Sequence, residues 1–237
     1  MRRNPLAMPT KKKDSKKNSA TPQSKKSAPA SKVKLPKTKK LKTAKPEPAV
    51  QESGKAQVLS SEIVYQGPLF RVTKDRLLEP SGKESTRDVV RHNGSVIILA
   101  VDTSKSKKDP WIVMERQYRH AANRFLWELP AGKLDPGEEP LAGAQRELEE
   151  ETGYRAKKWK PLVEYFASPG FLGESMKVFL AEGLISGDAH PEEDEDIELR
   201  LIKLSDILKQ IEKGAIMDGK TLSCVLLYAR LKGKKKK

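Results

Sequence analysis

Residues 132–154 constrain this chain more than any other stretch. They read GKLDPGEEPLAGAQRELEEETGY, a Gly-, Pro- and Asp-rich loop running straight into a segment of good helix formers. Gly132 to Gly137 forms the loop, with Pro136-Gly137 as a turn. The helix is expected over Glu138–Thr152, with Leu141, Gln145 and Leu148 at helical spacing and Gly153 as its stop. On it Glu147, Glu150 and Glu151 stand at i, i+3 and i+4, so their carboxylates project from one face. Three crowded carboxylates resist ionising together unless a cation sits between them. A hard, oxygen-seeking ion such as Mg²⁺, with Mn²⁺ as the alternative, meets that need. A Glu-rich helix can be no more than a solvated face. Here the loop glycines and the fixed offsets of Gly132, Glu138, Arg146, Glu147, Glu150, Glu151 and Gly153 favour a metal site. Glu149 points away and is expected to pair with Arg146. Glu138 has two readings, a metal contact or a residue that caps and orients the helix start.

Charge divides the chain. Its formal net charge is +15, yet residues 1–55 hold 17 Lys and Arg against three Asp and Glu, a local charge of +14. The closing KGKKKK at 232–237 adds +5, which leaves 56–231 mildly acidic at −4. The first segment is Lys, Pro, Ser, Ala and Thr with almost no large apolar side chain, so it buries too little surface to offset ordering entropy. It reads as a disordered basic tail. Residues 56–231 suffice for one domain with a proper core. The lone Cys224 lies in an apolar run, cannot form an intrachain disulfide, and reads as a core residue in a reducing compartment. No apolar stretch has the length of a membrane span or a signal core. A cytoplasmic protein without a membrane partner is the expectation.

Short apolar runs between turn signals read as strands: VLSSEIVYQG, LFRVTKDRLLEP, TRDVVRHN, SVIILAVD and WIVMERQYR before the helix, then KPLVEYFAS, KVFLAEGL and IELRLIKL. DTSKSKKDP between two of them suits a surface hairpin loop. Two closing helices are expected at Leu204–Lys213 and Lys220–Leu231. This order implies an α+β fold, a mixed β-sheet packed between helices. His92, His120 and His190 show no ligand spacing and read as surface or loop residues.

The pattern G-x5-E-x7-R-E-U-x-E-E-x-G-U (U apolar) over Gly132–Tyr154 resembles the Nudix box of the Nudix hydrolases. The flanks RQYRHAANRFLWELPAGK, FASPGFLGE and PEEDEDIELRLIKL are similar to the ADP-ribose pyrophosphatase group of that family, over about residues 57–231. The resemblance implies a Nudix-type mixed β-sheet sandwiched between helices (94–231), with an N-terminal antiparallel β subdomain (56–93). It implies metal ligation by Glu147, Glu150, Glu151 and the backbone carbonyl of Ala131, and it lets Arg146 orient the glutamates. Glu193 or Glu195 in the acidic loop would be the general base or a further ligand. Arg87, Arg119 and Glu128 fall on positions that contact the substrate's phosphates or ribose. Phe70 lies near where an aromatic ring stacks on adenine, and Pro169 is a marker proline fifteen residues past Tyr154. A homodimer, with the N-terminal strands of one subunit helping to form the other's pocket, is also implied.

The function that follows is Mg²⁺-dependent hydrolysis of a nucleoside diphosphate sugar, ADP-ribose to AMP and ribose 5-phosphate. Bound cations offset the charge that repels an attacking hydroxide and lower the pKa of a bound water. A loop carboxylate positions that water. The box cannot read the base or the sugar, so another substrate such as GDP-mannose stays open. So does non-specific nucleic-acid contact through the basic tail, whose lysines attract phosphates without reading sequence. That tail lacks the interleaved aromatics of single-strand binders.

Overall fold

The computed structural model describes residues 54–190 and 196–234. Nearly all of the expected basic tail, the loop carboxylates Glu193 and Glu195, and Lys235–Lys237 lie outside the described residues.

Three strands come first: β1 (Gln57–Gln66), β2 (Arg71–Leu78) and β3 (Glu84–Arg91) form an antiparallel sheet in that order. Its polar anchor is Asp75 on β2, which accepts hydrogen bonds from Ser61 of β1 (2.6 Å) and from Arg91 of β3. One buried carboxylate thus ties all three strands. The sheet joins the rest of the fold where Val90 exchanges backbone hydrogen bonds with Phe171 and Gly173.

The main sheet contains β4 (Ser95–Asp102), β5 (Trp111–Arg119), β6 (Arg124–Glu128), β7 (Ala131–Lys133), β8 (Arg155–Phe166), β9 (Ser175–Ile185) and β10 (Glu198–Lys203). Its order is β10-β5-β4-β9-β8, and only β4 and β9 run parallel among these neighbours. SVIILAVD has no polar alternation because β4 is covered on both sides. Ile97, Leu99 and Val101 pack with Ile207, Val225 and Tyr228 on one face, and Val96, Ile98 and Ala100 with Ala144 and Leu148 on the other. The first set is covered by α2 (Leu204–Glu212) and α3 (Gly219–Lys234), the second by α1 (Pro140–Thr152). Cys224 is buried in the first.

The sheet splits, and the split makes the site. β4 and β5 pair directly only at Val101–Ile112 and Asp102–Trp111. Beyond that point β6 pairs with β5 from Glu115 to Arg119, and β7 with β4 from Ser95 to Ile97. The connection between them, Leu129-Pro130, is held in the fork: Ile98 N–H donates to Pro130 O (2.8 Å) and Leu129 N–H to the Thr221 hydroxyl of α3 (2.8 Å).

Several boundaries move. The first helix begins at Pro140, not Glu138, because proline suits a helix's first turn while Glu138 stays in the loop and bonds there. It ends as expected at Gly153, whose φ of 68° is left-handed. α2 stops at Glu212 and α3 continues to Lys234, so the expected 232–237 tail starts as helix; Lys232 donates to Lys107 O. β6, β7 and the 3₁₀ turn His120–Ala122 were not expected.

Candidate active site

Helix α1 and the fork face each other across a cleft of about 490 Å³. Its floor is Ala131-Gly132 of β7 together with Glu147, Glu150 and Glu151, which the helical spacing puts on one face. Glu151 is the buried member, and its carboxylate accepts the Ala131 N–H (3.1 Å). Glu147 lies over Gly132 so closely that a β-carbon there would come within 1.9 Å of its carboxyl carbon. Glycine at 132 is therefore space for a carboxylate.

Arg146 organises this acidic face. Its guanidinium donates to both oxygens of Glu138 (3.0 Å each), to Glu147 (2.9 Å) and to Glu150 (2.9 Å). The hydrogen bond to Glu138 is the largest of the effects that push the Arg146 pKa far up, and the same pair, with the Asp135 N–H, holds Glu138 below the usual carboxylate range. Of the two readings of Glu138, the structure displays the orienting one: it clamps the loop to α1 and fixes Arg146. Glu149 does not pair with Arg146, contrary to expectation. It takes Arg155 instead, because the loop carboxylate of Glu138 reaches the guanidinium first.

One wall of the cleft is cationic. Arg119, at the end of β5, forks onto Glu128 (3.0 and 2.9 Å), and Lys220 of α3 donates to the same carboxylate and lies 3.2 Å from Asp218. Burial works against the Arg119 charge, but Glu128 outweighs it and the pKa rises. A buried Glu128 is tolerable because two cations satisfy it. The opposite wall is Ser95 and Glu174, joined by a 2.6 Å hydrogen bond, with His92 beside them.

His92 departs from the surface reading. Its side chain is only 8% exposed, its Nδ1 accepts the Gly94 N–H (3.0 Å) and lies 3.9 Å from Glu174. The β3–β4 turn folds the ring inward. His120 is in the exposed 3₁₀ turn, and His190 is in a loop where its backbone N–H bonds Glu150 O.

The cleft thus gathers Arg119, Ala131, Arg146, Glu147, Glu150 and Glu151, with Glu128 directly behind Arg119. Three sequence-derived residues lie elsewhere. Arg87 is exposed on β3 and paired with Glu79 (2.8 Å). Phe70 packs on Tyr65, with ring centroids 5.6 Å apart, while its neighbour Leu69 lines the cleft. Pro169 is in the loop between β8 and β9, whose Glu174 reaches the cleft. Residues that sequence reasoning missed are His92, Ser95, Glu174 and Lys220, none of which carries a local signature. Glu115 does carry one: it interrupts the apolar run WIVM and shares a strand face with Arg119. It is fully buried, and burial pushes its pKa up to about 8.

The acidic face fits a divalent cation. Its donors are carboxylates with the Ala131 carbonyl nearby, and Gly132 leaves room for Glu147 to turn inward. Among the described residues no three His, Cys, Asp or Glu side chains already converge on one point, since Arg146 holds Glu147 and Glu150.

Comparison with known proteins decides the family. The NUDIX domain matches residues 91–222, more than half of the chain. The chain belongs to the Nudix family. The nucleoside diphosphate sugar hydrolase N-terminal domain matches residues 57–90, which are β1 to β3. An ADP-ribose pyrophosphatase of Bacillus subtilis is 39% identical over 178 residues, covering 74% of this chain and 93% of that one. One from Mycobacterium tuberculosis is 38% identical over 174 residues, covering 72% and 81%. A solved structure described as an ADP compounds hydrolase shares the fold, with a TM-score of 0.65 at 22% identity over 76% of this chain and 96% of its own. The expected α+β fold, with a mixed sheet between helices and an antiparallel N-terminal sheet, is therefore the Nudix fold observed. The chain is a Nudix hydrolase of the nucleoside diphosphate sugar class, and such hydrolases generally need a divalent metal. No described helix is long and apolar enough to cross a membrane.

Proposed function

We propose that this Nudix hydrolase cleaves the pyrophosphate bond of ADP-ribose, giving AMP and ribose 5-phosphate, with Mg²⁺ or Mn²⁺ as its cofactor. The observation that carries this reading is the facing of two charge sets across one cleft: Glu147, Glu150 and Glu151 on the floor, Arg119 and Lys220 on the wall. A diphosphate needs both. The cation, held by the three glutamates and the Ala131 carbonyl, supplies charge neutralisation and an acidified water. Arg119 presents a planar fork to a phosphate while Glu128 keeps it in place. Water adds at one phosphorus, the bridging P–O bond breaks, and the released phosphate leaves with the bridging oxygen. Glu193 or Glu195 takes the proton from that water. Phosphoryl transfer asks for little beyond such positioning and charge stabilisation.

The choice of ADP-ribose over another nucleotide sugar is supported by the names of the two ADP-ribose pyrophosphatases above. Substrate contacts by Arg87 and Phe70 belong to the dimeric form of the reading. β1 offers Val58, Leu59, Ile63, Val64 and Tyr65 as exposed apolar residues, a surface that suits a second copy better than water. In a homodimer these strands would complete the partner's pocket. A cytoplasmic location accords with a lone, buried cysteine.

A product assay with Mg²⁺ tests the reading. ADP-ribose should yield AMP, GDP-mannose should turn over far more slowly, and Glu151→Gln should abolish hydrolysis without unfolding the chain. Light scattering should give twice the chain mass. Near-normal rates in the Glu151→Gln variant would sink the metal site, and preference for GDP-mannose would move the substrate.

A further inference from the structure

Three carboxylates are buried beneath the cleft, and two have their partners. Glu128 is satisfied by Arg119 and Lys220, and Glu151 takes the Ala131 N–H. Glu115 differs. It is fully buried, neither of its oxygens receives a hydrogen bond from any donor, and no described Lys or Arg forms an ion pair with it. β-pairing sets it directly opposite Glu128, and Glu151 of α1 is its side-chain neighbour. Two residues earlier on the same strand face, Val113 is buried in the cluster that includes Leu148 of α1. An apolar residue at 115 would continue that packing. A carboxylate there is costly unless something compensates it. Contact between the Glu115 and Glu151 carboxyls cannot supply the compensation while both are ionised, because each only accepts hydrogen bonds.

We infer that Glu115 is a further cation ligand, a buried carboxylate that with Glu151 grips a divalent ion from below the cleft floor. Glu128 is not part of this grip, since its oxygens are taken. The inference rests on reading Glu147, Glu150 and Glu151 as the cation site. It adds a ligand fixed on a strand to the three on the helix. A hard, small ion such as Mg²⁺ or Mn²⁺ suits an all-oxygen set.

Mn²⁺ titration of the full chain tests it, with free Mn²⁺ read by electron paramagnetic resonance, in the absence of substrate and again with AMP. The proteins are wild type, Glu115→Gln, Glu115→Leu and Glu147→Gln. Both Glu115 variants should bind Mn²⁺ at least tenfold more weakly, or lose one equivalent, and the rise in melting temperature caused by saturating Mn²⁺ should shrink. The leucine variant fills the same space without a polar group, so it guards against misfolding of the glutamine variant. Mn²⁺ affinity and stoichiometry unchanged within twofold in a folded Glu115 variant, while Glu147→Gln loses binding, overturns the role of Glu115 alone. Absence of Mn²⁺ binding in wild type overturns the underlying metal site with it.

Discussion

Gly132→Ala separates a glycine needed for its backbone from one needed for its emptiness. Gly132 does not have a left-handed φ, so alanine fits the local backbone. Its pairing with Val96 of β4 holds the strand in place. The added β-carbon would lie 1.9 Å from the Glu147 carboxyl carbon and 2.0 and 2.3 Å from its oxygens. Ordinary carbon contacts are about 3.5 Å, so the carboxylate must retreat by roughly 1.5 Å. Displacements of about 1 Å at a reacting centre cost on the order of 10²-fold in rate, which is about 2.7 kcal/mol of barrier. Folding stability should change by no more than about 1 kcal/mol, since alanine also restricts the unfolded chain. The assay is kcat for ADP-ribose hydrolysis at saturating Mg²⁺, beside a thermal melt. The expected result is a rate loss of about 10²-fold at a nearly constant melting temperature. Activity within about threefold of wild type would refute the claim that Glu147 must occupy the space over Gly132.

Two further substitutions probe the supports of the site. Thr221→Val keeps the side-chain shape but leaves the buried Leu129 N–H without its acceptor, so denaturant unfolding should show a loss of about 1–3 kcal/mol; an unchanged midpoint would mean that α3 does not anchor the fork. Asp75 has a pKa below its ordinary 3.8, through the Ser61 hydroxyl above all, against the opposing effect of burial, and with help from Thr73 and Arg91. The unfolded chain therefore takes up this proton first as pH falls, so the stabilisation is complete above about pH 3.8 and lost below it as pH passes the folded value. Melts from neutral to strongly acidic pH should show Asp75→Asn less stable at neutrality and less sensitive to acid; an identical acid slope in the variant would remove Asp75 from the account.

The parts of this protein legible in the sequence are those governed by short-range spacing. Helical periodicity put Glu147, Glu150 and Glu151 on one face, and Gly153 ended the helix where a left-handed residue was required. The apolar runs of β4 and β5 gave their limits directly, because burial on a sheet leaves a continuous or alternating pattern. β6 and β7, at five and three residues, are too short for any pattern to rise above their turns. Spacing also misassigned Arg146, whose main partner is Glu138 rather than Glu149, since the path of a loop is not a helical period.

What only the tertiary structure decided is which faces meet. Parallel pairing of β4 with β9 brings Glu174 to Ser95 across 79 positions of sequence, and the docking of α3 on the fork brings Lys220 to Glu128 across 92. The reason is physical. Local spacing determines the direction in which a side chain leaves its own element, whereas a cleft is the product of register, crossover and layer packing between elements. The chain alone determined the acidic face and the chemistry suited to it. The forked sheet decided that a cationic wall stands opposite, and that Glu115 lies buried beneath it.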